Sequence, residues 1–330
     1  METIITGTSG ILGMAAVAAV IIGFVFVNAT ALGYIERKLC GHFQRRLGPM
    51  EVGWHGILQM PVDGIKLIAK QLIAPRNVAG ILFYLSPLLA LAPVALPLLV
   101  MPFAPRLQAL DLETGLVFVL AIMSFNTFAV FLAGWSSNNN YSMIGALRSV
   151  AQNISYEIPI LLSLLTVVFL ARSLSLRHLV QVQEPLWFFL QHPSAAIAFI
   201  IFFIAAIAET NRSPFDLPEA ESELTAGFHT EYGGIAFALF MIAEYTCMFI
   251  NCCLATAVFL GGWQGLWLPL GAYGSGLVFL IKAYALMFVI IWCRWTFPRV
   301  RFDQLMNFSW KYLIPIGLGN FVLAALMTKI

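Results

Sequence analysis

Eight apolar runs, each close to the length of a bilayer crossing, constrain this chain more than any other feature. They lie at 11–32, 81–103, 115–135, 157–171, 194–208, 235–260, 272–293 and 312–328. At a rise of about 1.5 Å per residue, about 20 residues cross the hydrocarbon core, so each run reads as a transmembrane helix. The runs at 157–171 and 194–208 are short and would borrow flanking residues. Hydrophobic residues make up 60% of the chain, charged residues only 10%, and mean hydropathy is +0.88. A soluble protein carries about 25% charged residues to cover its surface, so a soluble fold is excluded. The expected fold class is an all-α polytopic membrane protein, a single membrane domain over 1–330 with about eight transmembrane helices. The first run has no small-residue cleavage site behind it and reads as a retained helix rather than a signal peptide. Pro87, Pro93, Pro97 and Pro102 should kink or break the second run.

Charge sets the orientation. The alternate loops 34–80, 136–156, 209–234 and 294–311 hold 13 of the 18 Lys and Arg. The other side holds Arg106, Arg172, Arg177 and Lys329, and Lys282 lies inside a run. The positive-inside rule then puts the first set of loops in the cytoplasm and both termini on the other side. A net charge of +2 with no basic-aromatic module argues against nucleic acid as a partner. The five cysteines (Cys40, Cys247, Cys252, Cys253, Cys293) lack the spacing of a zinc or iron–sulfur site. There is no phosphate-binding loop, dinucleotide fingerprint or haem signature, so any redox cofactor belongs on another chain.

The first inside loop carries Glu36-Arg37-Lys38 and Arg45-Arg46, followed by a stretch too polar to span. Across 54–73, Trp54, Ile57, Leu58, Ile65, Ile68 and Leu72 recur at helical spacing against His55, Gln59, Asp63, Lys66 and Lys70. This predicts an amphipathic helix in the membrane interface, bent at Pro61. A basic loop that only fixes topology and attracts anionic lipid would look the same. The functional alternative is a lateral opening for an amphiphilic molecule.

The third inside loop is unusually acidic. Glu209, Asp216, Glu219, Glu221, Glu223 and Glu231 face one Arg, Arg212, over 209–231. Asp216 and Glu219 fit a capping box, which accounts for two or three of these acids. Glu209 and Glu231 are left over. Glu244 lies roughly 13 Å inside the sixth run at the helical rise, with Cys247 and Asn251 on the same face, and Glu157 opens the fourth run. Carboxylates within a membrane are costly and commonly mark an ion or proton path. The bland alternative is a structural acid paired across helices with a cation such as Lys282.

Taken together, these stretches resemble the H-type membrane subunit of bacterial respiratory complex I, the counterpart of mitochondrial subunit 1 of NADH:quinone oxidoreductase. The resemblance rests on Glu36-Arg37-Lys38, Gln44 to Pro49, Ser155-Tyr156-Glu157, the segment Ala208–Gly234 and the segment Trp292–Met306. It implies an eight-helix subunit joining the membrane and redox arms, in a bacterial inner membrane. Glu36, Arg37, Arg45, Arg46, Trp54, Phe215 and Asp216 would sit on the quinone path. Glu157, Glu209, Glu219, Glu221, Glu223, Glu231 and Glu244 would form the proton or coupling channel. The implied partners are quinone as substrate, lipid, the 49-kDa-type subunit with the direct quinone ligands, the terminal iron–sulfur-cluster subunits and the small membrane subunits. No redox cofactor and no metal is expected on this chain. The alternatives are the related coupling subunit of a membrane-bound hydrogenase, a secondary ion transporter, and a passive anchor. The absence of an internal repeat weighs against the transporter.

Overall fold

α1 (Ile11–Phe43) runs for 33 residues, roughly 50 Å at the helical rise and well beyond a bilayer core. It therefore continues past the first apolar run and presents Glu36, Arg37 and Lys38 on unbroken helix. This computed structural model describes residues 11–184, 186–218, 225–265 and 271–327. Among them, 7 helices are long and apolar enough to cross a membrane, and Pro193–Glu209 is a shorter apolar helix. No strand forms among the described residues.

The amphipathic stretch is shorter than its periodicity predicts. It forms a 3-10 turn at Trp54–Gly56 and then α2 (Gln59–Ala69). His55 (φ 53°) and Gly56 (φ 79°) both take left-handed backbone, which no longer helix could pass through. Pro61 falls in the first turn of α2, where its missing N–H costs no helical bond, so the expected bend is a helix start. α2 is tied to α1 by Arg37 to Asp63 at 2.7 Å, and the 3-10 turn before it by the Tyr34 hydroxyl donating to the His55 carbonyl at 2.9 Å. Its apolar face points away from the bundle: Trp54, Ile65 and Ile68 are exposed, as a lipid-facing surface would be.

α3 (Gly80–Ala95) contains Pro87 and Pro93 and collapses into a 3-10 turn at Leu96–Leu99, the break its prolines predict. α4 (Gly115–Ser136) packs on α3 and on α5 (Asn140–Ala171). α5 begins well before the apolar run at 157–171. Asn139 caps it by accepting from the Tyr141 N–H at 2.9 Å, and its first half buries a polar face of Ser142, Ser149, Gln152 and Asn153. Gly145 is needed there, since a Cβ would come within 2.8 Å of the Gly227 backbone. Two short helices, α6 (Leu176–Val182) and α7 (Phe188–Gln191), lead into α8 (Pro193–Glu209), which opens on a proline suited to a first turn. α9 (Gly234–Phe259) and α10 (Gly271–Thr296) follow. α11 (Phe302–Phe308) passes through a π turn at Ser309–Leu313 into α12 (Ile314–Met327). Pro159 leaves the Ser155 carbonyl without its helical donor, and the Ser309 hydroxyl donates to that carbonyl at 2.6 Å.

α9 is the centre of the bundle. Every side chain from Thr246 to Phe259 is buried, and α1, α3, α8 and α10 pack around it. Lipid tails are as apolar as these side chains, so close packing and polar contacts, not loss of water, hold such helices together. The contacts include the Tyr156 hydroxyl donating to the Leu305 carbonyl at 2.9 Å and Asn320 donating to the Ser194 carbonyl at 2.8 Å.

Candidate functional site

Four segments converge where charge should be least welcome. Glu36 comes from α1, Arg212 from the loop after α8, Glu244 and Tyr245 from α9, and Arg294 from the last turn of α10. Glu36 is 5% exposed and Arg212 6%. One Arg212 guanidinium nitrogen lies 3.6 Å from Glu36 Oε1 and another 3.7 Å from Glu244 Oε2. The same guanidinium sits over the Tyr245 ring at 4.6 Å. Arg294 also donates to Glu36 Oε1. Two cations thus meet two carboxylates, and this charge balance is what makes it tolerable to bury Glu36 and Arg212 and to half-bury Glu244 and Arg294.

An open cavity of about 770 Å³ reaches this cluster. Glu36, Tyr245 and Arg294 line it, with Arg37, Cys40, Arg46 and the Leu47–Glu51 segment. Its size falls within the roughly 300–1,000 Å³ typical of small-molecule sites. On the far side of Arg212, a second cavity of about 20 Å³ lies among Glu244, Glu209, Asn126, Asn211 and Cys247. That is room for about one water, and the polar lining suits one. Glu209 accepts from Asn251 Nδ2 at 2.9 Å, so Asn251 holds Glu209 rather than serving Glu244 as its spacing on α9 suggests. Glu157 accepts from the Ser124 hydroxyl and lies close enough to Glu209 for the two charges to interact. The carboxylates therefore run in order from the open cavity inward: Glu36, then Glu244 across Arg212, then Glu209, then Glu157.

The loop carrying Arg212 is fixed by α5. Gln152 Nε2 donates to the carbonyls of Ala208 at 2.7 Å and Phe215 at 2.9 Å, and Asn211 donates to Ser149 Oγ at 3.3 Å. These bonds account for Ser149 and Gln152 on the buried polar face of α5. Beside them, Tyr232 stacks on Phe83 with centroids 4.2 Å apart, and its hydroxyl meets Ser86 at 2.7 Å and Ser136 at 3.0 Å. Burial pushes the Tyr232 phenol above its ordinary range, against the opposing pull of those hydrogen bonds, so it stays protonated at neutral pH.

Of the residues singled out in the sequence, Glu36, Arg37 and Arg46 share the open cavity, and Glu157, Glu209 and Glu244 share the inward row. The others sit elsewhere. Arg45 (φ 54°) is exposed on a turn outside the cavity lining, and Trp54, 78% exposed, is on the outward face. Phe215 packs against Tyr156 at 5.9 Å, and buried Asp216 meets Arg299 at 3.3 Å. Glu231 accepts from Asn139 at 2.6 Å beside a separate polar cavity of about 390 Å³ that includes Arg76. Glu219, Glu221 and Glu223 lie outside the described residues. Reading for acids passed over Arg212, Tyr245, Arg294 and Ser124. Arg212 had one usable signal, being the sole cation among six acids in 209–231.

The fold and this row of buried charge define a polytopic membrane protein with carboxylates aligned inward from an open cavity. The NADH dehydrogenase family model matches residues 15–325. The H-type subunit of NADH-quinone oxidoreductase from Desulfotalea psychrophila is 46% identical over 97% of this chain and 98% of its own length. Its counterparts from Phocaeicola vulgatus (42%; 99% of this chain, 91% of the relative) and Bacillus mycoides (45%; 94% and 91%) are similarly alike. The chain belongs to this family, that of the H-type subunits of NADH-quinone oxidoreductases.

Proposed function

We propose that this chain is the membrane subunit through which a quinone approaches its reduction site, and that its carboxylate row carries the resulting charge change into the membrane. The observation that supports this most is the sharing of Arg212 between Glu36, which lines the open cavity, and Glu244, which lines the inner one. Each pairing is worth on the order of 4 kcal/mol of Coulomb energy at an effective dielectric of about 20, before desolvation. When Glu36 takes a proton, Arg212 is left to Glu244 and holds that carboxylate in its charged form. When Glu36 loses the proton, the cation is divided and Glu244 protonates more readily. A negative charge arriving in the cavity would act on the same pair. Glu209 and Glu157 continue the row, so protonation at one site biases the next.

In this reading, iron–sulfur clusters and the direct quinone ligands belong to partner subunits of the assembly, and quinone is substrate. The relatives' names favour the quinone branch over a membrane-bound hydrogenase. The membrane is the bacterial inner membrane, with both termini on its outer side as the loop charges require. Glu219, Glu221, Glu223 and Glu231 are further acids of the sequence segment that carries Arg212, and in this reading they take part in the coupling. Glu244→Gln tests the core of the proposal. Assembly should persist, while proton translocation is lost and quinone reduction falls with it, and Glu244→Asp should retain part of both. Full pumping in an assembled Glu244→Gln complex would end the relay.

A further inference from the structure

The carboxylate row makes no use of a groove at the other end of the bundle. Gln152 marks the end of α5 that holds the Arg212 loop, and Arg172 follows roughly 30 Å further along the same helix, about one hydrocarbon thickness away. Arg172 therefore stands at headgroup level. Leu165, Val168 and Phe169, spaced to share one face of α5, join Phe321 of α12 to wall an open groove of about 700 Å³ that descends from it. Phe169 and Phe321 meet edge to face at 5.8 Å, which fixes the groove's inner wall. The rim carries one charge of each sign, Arg172 and Glu113, together with the Thr114 and Ser173 hydroxyls. Nearby Arg177 and Asp111 pair with each other at 3.5 Å, whereas among the described residues Arg172 and Glu113 form no ion pair.

We propose that this groove seats a zwitterionic phospholipid with a primary ammonium headgroup, of the phosphatidylethanolamine type. Its phosphate lies on Arg172, its ammonium on Glu113, and an acyl chain runs along Leu165, Phe169 and Phe321. Phosphatidylglycerol would satisfy Arg172 with the same phosphate but offers Glu113 only neutral hydroxyls and no cation, and a choline headgroup offers Glu113 no N–H to accept. The rim thus selects a headgroup, which a greasy surface alone does not.

The test uses the intact complex, purified in detergent, washed of loose lipid and examined by native mass spectrometry with lipid extraction. The wild type should retain ethanolamine lipid in preference to glycerol lipid. Arg172→Asn, a residue at ease with the φ of 54° found there, should retain it about tenfold less after the same wash, the loss of one charge-assisted contact. Glu113→Gln should keep a lipid but lose the preference, binding both headgroups alike when vesicles of each are supplied. A photoreactive residue at Phe169 should crosslink to lipid. Unchanged lipid content and preference in both variants would overturn the proposal. So would a Phe169 crosslink to another protein chain, which would make the groove a subunit interface.

Discussion

Two buried cations flank α9, Arg212 beside its first half and Lys282 beside its last turn, and their partners differ in kind. Lys282 Nζ donates to the backbone carbonyls of Leu260, Gly262 and Gln264 at 2.7, 3.0 and 2.5 Å, and lies 4.3 Å from the centre of the Trp187 ring. Gly261 and Gly262, both at positive φ, let the chain curl so that these carbonyls converge. Carbonyls do not titrate, so no partner of Lys282 can change charge: it is a cation closing the C-terminal end of a helix, where the dipole favours it. Arg212 instead sits between two carboxylates that can each take a proton. The structural pairing of Glu244 with Lys282 that the sequence allows is not formed, because Lys282 is engaged by the α9 terminus. A buried charge marks a working site only when its partners can change charge.

Removing Arg212 should have the largest effect and would test the first half of that contrast. Arg212→Met leaves buried Glu36 and half-buried Glu244 without the cation between them, a change that costs about 3–5 kcal/mol for buried pairs. The assembled complex should largely disappear from native gels. Combining it with Glu244→Gln removes charge from both partners and should recover most of the assembly, since losing a whole pair is far cheaper than losing half. Proton translocation should not recover with it. A single Arg212→Met variant that assembles and pumps normally would show the bridge to be incidental.

Lys282→Met is the matching test of the static site. Three carbonyls, one buried and two half-buried, would lose their donor, at up to about 1–3 kcal/mol for the buried one. The amount of complex and its thermal midpoint should fall, but turnover and pumping per assembled complex should hold. If the surviving complex were uncoupled, Lys282 would belong with Arg212 and the contrast would fail.

The positions of the apolar helices were legible because their signal is composition, which a long span displays in every turn. The start of α5 was not. Residues 140–156 hold Ser142, Ser149, Gln152 and Asn153, and they read as a polar loop until the loop carbonyls and Asn211 that Gln152 and Ser149 serve are in view. The carboxylates of the candidate site could be read for the opposite reason, since an acid in or beside an apolar run stands out. Arginines at loop edges do not stand out, and the positive-inside rule supplies a sufficient reason for every one of them. Arg212 alone had a signal, as the one Arg among six acids; only tertiary structure separates Arg294, turned inward, from Arg45, turned out.

The aromatic rings over the two cations give the smallest and most discriminating comparison. Tyr245 places its ring under Arg212 and its hydroxyl on Glu36. Tyr245→Phe keeps the ring, so the stacking survives, but Glu36, the carboxylate proposed to change protonation, loses one donor. The stability of the variant should fall only by the roughly 1 kcal/mol of one hydrogen bond, while quinone reduction slows severalfold with a displaced pH optimum. The displacement should be toward higher pH, because a donor to the charged carboxylate favours ionisation and its loss raises the pH at which Glu36 ionises. Trp187→Phe should do the reverse. The indole packs against Gly261 and Gly265, and a smaller ring offers a weaker cation–π partner to Lys282, for a cost of about 1 kcal/mol plus some lost packing. Stability should drop and the pH profile should stay where it was. Thermal unfolding and pH–rate profiles measured on both variants decide the matter. Should Trp187→Phe move the pH optimum, or Tyr245→Phe change only stability, titratable partners would no longer distinguish the two ends of α9.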